Sequence, residues 1–111
     1  MTATYKLLFF LFLLTGTYQP LLAQVHQAMT FNIRYDTPRD SINRWDNRKA
    51  EIVDLVQYYQ PAALGIQEGL WHQVEYLEDN LPNYARIGVG RDDGKEKGEF
   101  SAIFYDSTKL K

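Results

Sequence analysis

The chain has 111 residues, 45% of them hydrophobic, a formal charge of −2 and no cysteine. That length allows at most one small domain, and the composition is too apolar for a disordered chain. The missing cysteines exclude disulfides, thiolate catalysis and cysteine zinc sites, and the acidic balance lacks the basic footprint of a tight, non-specific nucleic-acid binder.

Residues 1–23 read as a cleaved signal peptide. Lys6 supplies the positive start, residues 7–14 are unbroken Leu and Phe, and Thr15, Gly16 and Pro20 then break the run. The run is too short to cross a hydrocarbon core of about 30 Å, so no transmembrane domain is expected. Ala23 is a plausible last residue before cleavage, although Leu21 departs from the small residue preferred at −3. No Cys follows, which excludes a lipoprotein anchor. The mature protein, residues 24–111, is therefore expected to be exported, in the periplasm or secreted. Its net charge becomes −3, because the leader carries one Lys and no acid.

In residues 27–34, Met29, Phe31 and Ile33 alternate with more polar neighbours, the pattern of a strand with one buried face. Residues 36–43 form a polar loop with one Pro. Asp46 or Asn47 can cap the helix that follows, whose apolar stripe is Ile52, Leu55, Val56 and Tyr59 and which Pro61 ends. Residues 62–68 are a short apolar run, expected to be a strand buried on both faces. Leu70, Val74, Leu77 and Leu81 mark a second helix, closed by Pro82. Residues 84–91 and 100–105 read as strands joined by the charged, glycine-bearing turn 92–99, a hairpin. The order β-α-β-α-β-β predicts an α/β fold. Its first two strands would be parallel, its last two antiparallel, and helices would cover one face of the sheet.

Chemistry concentrates at two strand ends. Ligands of open α/β sheets bind at the carboxyl ends of parallel strands. Asn32 lies near the end of the first strand and Glu68 ends the second, so an amide and a carboxylate would share one rim. A carboxylate, a neutral oxygen and waters suit a hard divalent cation. Taken singly, Asn32 also suits a turn and Glu68 a solvated strand end.

The stretch T-F-N-I-R, then a capped helix, then L-G-I-Q-E, resembles the opening of the endonuclease/exonuclease/phosphatase superfamily. That group includes DNase I-like and exonuclease III-like nucleases, sphingomyelinases, inositol-polyphosphate phosphatases and deadenylases. The later Y-A-R-I-G-V-G-R-D-D-G-K-E-K-G-E-F-S-A-I-F-Y is similar to a bacterial branch of it, so the resemblance covers residues 29–105. It implies the N-terminal half of a DNase I-like four-layer α/β sandwich with a mixed sheet. It also implies a hydrolase of phosphodiester or phosphomonoester bonds that uses Mg²⁺ or Mn²⁺. Glu68 matches the family's metal-binding glutamate and Asn32 the asparagine beside the metal and scissile phosphate. The substrate class stays open among nucleic acid, sugar phosphate, inositol phosphate and lipid head group, with the acidic charge favouring small or lipid phosphoesters.

The family's later histidine-bearing strand, Asp-x-Asn element and terminal Asp-His pair have no match in this sequence. His26 and His72 do not correspond to the family's catalytic histidines and read as surface or capping residues. The expectation is therefore the truncated N-terminal portion of an enzyme, inactive by itself. The alternatives are a non-catalytic phospholigand-binding module and a fragment without function. Arg91 is a candidate phosphate contact, or else part of a solvated turn with Asp92, Asp93, Lys95, Glu96 and Lys97. Glu99 flanks the return strand and could face the site. Arg34 and Arg44 are loop arginines able to contact phosphate, Arg48 lies ahead of the first helix, and Trp45 reads as a packing residue at its start.

Overall fold

The computed structural model describes residues 25–110. The signal-peptide expectation for residues 1–23 lies outside them. Strand β1 (Ala28–Asn32) leads through a short 3-10 segment (Pro38–Asn43) to helix α1 (Trp45–Tyr59). Strand β2 (Ala63–Gly69), helix α2 (Trp71–Asn80) and strands β3 (Tyr84–Ile87) and β4 (Phe100–Asp106) follow. The four strands form one mixed sheet in the order β1-β2-β4-β3. β1 and β2 are parallel, with Asn32 opposite Gln67. β4 lies antiparallel to both β2 and β3. This is the expected parallel pair and hairpin, the hairpin's return strand filling the place beside β2. Among the described residues no helix is long and apolar enough to cross a membrane.

Strand alternation sorts the side chains between the two faces. Leu64, Ile66, Phe100, Ala102 and Phe104 are buried against Ile52, Val53 and Val56 of α1 and Val74 and Leu77 of α2. The opposite face carries the lateral row Thr30, Gly65, Ile103 and Ile87, in which Ile103 is 49% and Ile87 62% exposed. β2 is therefore not buried on both faces: Leu64 and Ile66 are enclosed, while Ala63, Gly65 and Gln67 are only half-buried. The cause is the one-sided helix layer, since double burial of a strand needs cover on both faces.

Three other expectations are corrected. The buried face of α1 is Trp45, Ile52, Val53 and Val56, whereas Leu55 and Tyr59 are exposed. Leu55 sits about 100° around the helix from the centre of that arc, and Tyr59, the last helical residue, stacks edge-on against Tyr58 at 5.0 Å. Neither Asp46 nor Asn47 caps the helix, because Arg44 holds the cap position, without a side-chain cap bond. Asp46 instead pairs with Lys49 and Asn47 donates to the Ile42 carbonyl. β3 stops at Ile87 rather than 91, and only a single bridge, Gly90 to Phe100, follows. Gly88 interrupts it with φ 136°, where a Cβ would lie 2.9 Å from the Ala102 Cα.

Candidate active site

The parallel pairing of β1 and β2 brings their carboxyl ends to one rim. Asn32 is the last residue of β1, and Glu68 follows Gln67, its partner across the ladder. The register between β2 and β4 shifts between Ile66 and Gly69, and Glu68 within that bulge takes φ 63°. A glutamate in the left-handed region costs about 1–2 kcal/mol, and such strain concentrates where a side chain has a task. Gly69 lets the chain leave the strand close to the core: a Cβ there would meet Val74 at 3.1 Å and Ile33 at 3.3 Å.

The two side chains meet. Asn32 Nδ2 donates to Glu68 Oε1 at 2.8 Å, and the backbone N–H of Arg34 donates to Asn32 Oδ1 at 2.9 Å. The second bond sets which end of the amide faces the carboxylate. Glu68 Oε2 is buried and has no hydrogen-bond partner among the described residues. Buried carboxylate oxygens are ordinarily paired or metal-bound. The donor set therefore fits a hard divalent cation: one carboxylate oxygen held in place, the other free to ligate. Among the described residues no group of three or more His, Cys, Asp or Glu side chains is placed to hold a metal.

The surrounding cations are mostly engaged. Arg34 makes a two-pronged contact with Asp40, both bonds at 3.0 Å. That hydrogen bonding raises the Arg34 pKa and holds the Asp40 carboxyl below its usual range. Arg44 reaches Asp36 at 3.3 Å. Arg48 donates to the carbonyls of Ile33 and Asn43 and so buttresses the loop leaving β1. Trp45 is buried, edge-on to Tyr76. His26 precedes β1, at the end of the sheet away from the rim. His72, in the first turn of α2, bonds Asp36 Oδ2 through Nε2 at 3.1 Å.

Arg91 lies on the loop that closes the hairpin at the same end of the sheet as Glu68, since Phe100 faces both Gly69 and Gly90. It is 66% exposed and contacts Glu99 at 3.1 Å and Asp92 at 3.5 Å. Glu99 thus faces Arg91. The exposed turn is internally tied: Asp93 Oδ1 accepts the backbone N–H of Lys95 and Lys97, which lowers the Asp93 pKa.

Two features escaped the sequence reading. The backbone strain at Glu68 has no signature in residue type. Gln73 is 0% exposed, and its signal was available: it stands three residues after Leu70 and four before Leu77, on the buried stripe of α2.

No protein-family model and no curated protein matches the chain. Solved structures do. An endonuclease/exonuclease/phosphatase from Bacteroides vulgatus is 46% identical and superimposes with a TM-score of 0.69, over 71% of this chain and 30% of its own. A mannosyl-6-phosphatase from Bacteroides thetaiotaomicron is 41% identical with a TM-score of 0.72, over 76% of this chain and 32% of its own. A humanized TDP2 of D. rerio, at 20% identity and a TM-score of 0.57, shares the fold. The chain thus spans about a third of the length of these relatives.

Proposed function

We propose that this chain, which belongs to the endonuclease/exonuclease/phosphatase superfamily, carries the first part of the metal site of an exported phosphoester hydrolase. The observation that carries the reading is the Glu68 carboxylate: Oε1 is held by Asn32, and Oε2 is buried without a partner among the described residues. Glu68 would ligate Mg²⁺ or Mn²⁺ through Oε2, while Asn32 locks the rotamer and stands beside the phosphate. A cation held there by Glu68 would supply neutralisation of the phosphate and stabilisation of the leaving oxyanion. Arg91, at the same end of the sheet, is the proposed outer contact to a phosphate oxygen, exchanging its partners, exposed Asp92 and half-buried Glu99, for substrate.

For the substrate we propose a phosphorylated sugar. One relative at 41% identity is a mannosyl-6-phosphatase, and the formal charge of −2 lacks the basic excess typical of a polynucleotide binder. Residues 1–23 are proposed as the export signal. The test is phosphate release from sugar phosphates, with a phosphodiester as comparison, by a protein carrying this chain at the full length of its relatives. Turnover should stop with EDTA and with Glu68→Ala. Full activity in either case removes Glu68 from the site, and exclusive phosphodiester cleavage overturns the sugar-phosphate reading.

A further inference from the structure

Gln73 is a fully buried amide in the first turn of α2 with three hydrogen bonds, all to backbone. Its Oε1 accepts the N–H of Asp36 at 3.0 Å and the N–H of Leu70 at 3.0 Å. Its Nε2 donates to the carbonyl of Arg34 at 2.9 Å. Arg34 and Asp36 belong to the loop leaving β1, two and four residues beyond Asn32, and Leu70 stands two residues beyond Glu68. One side chain therefore ties together the exits of the two strands that carry the candidate site. Both exits contain a non-glycine residue in the left-handed region, Arg34 at φ 61° and Glu68 at φ 63°, and such conformations persist only where surrounding bonds over-determine them.

We propose that Gln73 is a positioning residue that keeps the Asn32 amide and the Glu68 carboxylate within bonding distance of each other. The assignment rests on the proposed metal site, in which the rotamer of Glu68 matters. Helix capping alone would need only the bond to Leu70. The two bonds to the β1 exit loop have no capping role; together with the bond to Leu70 they link the exits of β1 and β2 behind the Asn32–Glu68 bond. Groups that orient a metal ligand from behind typically govern metal affinity by about 10–100-fold.

The test uses a protein carrying this chain at the full length of its relatives and two readouts: Mn²⁺ affinity by electron paramagnetic resonance, and the Asn32 side-chain amide in ¹H–¹⁵N spectra. Gln73→Met keeps the volume and removes all three bonds. Gln73→Glu keeps the shape and both acceptor bonds but loses the donation to Arg34. Val56→Ala, a core truncation in α1, controls for general destabilisation. The expected result is Mn²⁺ binding weakened about 10–100-fold in Gln73→Met with the Asn32 amide resonance displaced, an intermediate loss in Gln73→Glu, and neither change in Val56→Ala. Native Mn²⁺ affinity and an unmoved Asn32 amide in Gln73→Met would overturn the proposal, as would equal effects in Val56→Ala. If the native full-length protein binds no Mn²⁺, the metal reading fails on its own. The Asn32 amide then decides the role of Gln73: displacement in Gln73→Met alone supports it, and no displacement overturns it.

Discussion

Asn32 and Glu68 bridge the ends of two parallel strands with one hydrogen bond of 2.8 Å, made to the carboxylate oxygen opposite the unpartnered one. Removing the charge while keeping the shape isolates the electrostatic part of this arrangement. Glu68→Gln should abolish Mn²⁺ binding and leave the fold intact, checked by calorimetric titration beside a thermal melt. Retained binding would assign the cation to other ligands.

Backbone and side chain of Glu68 make opposite demands. Glycine relieves the left-handed conformation, whereas glutamine does not, so Glu68→Gly should be more stable than Glu68→Gln by about 1 kcal/mol. Urea unfolding of the two variants measures the difference. Equal stabilities would mean that the bulge relaxes at no cost.

Arg91 makes only exposed ion pairs, which contribute little to stability. In the full-length protein Arg91→Ala should leave the melting temperature almost unchanged and raise KM about tenfold with kcat preserved, the signature of a lost charge-assisted contact. An unchanged KM returns Arg91 to the solvated turn.

The hairpin loop discriminates between its glycines. A Cβ at Gly90 would collide with the backbone of Lys97 at 2.3 Å, while nothing lies within 4 Å of one at Gly94. Gly90→Ala should cost about 1–3 kcal/mol or more if the loop cannot shift. Gly94→Ala should cost about 1 kcal/mol, from its positive φ alone. Denaturant titration of both variants checks the ordering.

Asp106 is buried, and its carboxyl is held below the usual range first by the hydroxyl of Thr108, then by the Thr108 N–H and by Lys109. A depressed folded-state value stabilises the fold above the unfolded carboxylate pKa, about 3.9. That contribution disappears as the pH falls through the folded value. Stability should therefore decline below about pH 4, and Thr108→Val should flatten this dependence. A pH series of melting temperatures for the two proteins tests it.

The rim was legible because its geometry follows from topology: an apolar alternation ending at Asn32, a short apolar run ending at Glu68, and a helix between them make a parallel pair with adjacent ends. The hairpin was legible from the polar turn between two apolar runs. The buried arc of α1 was not, since Leu55 and Val53 are equally apolar and only the placement of the helix on the sheet chooses between them. The early end of β3 depends on how closely Gly88 approaches Ala102, a tertiary contact with no local signal. Gln73 was passed over because a polar residue on an apolar stripe reads as a break in the pattern until its backbone partners are known.

The left-handed glutamate also bears on how this lineage can change over generations. At position 68 the replacement that eases the backbone is the one that deletes the carboxylate. On the proposed metal-ligand role of Glu68, selection for robustness and selection for chemistry pull that codon in opposite directions. A descendant released from its chemistry should drift there toward glycine or asparagine while its core persists. The identity of this one residue would then separate working members of the lineage from retired ones.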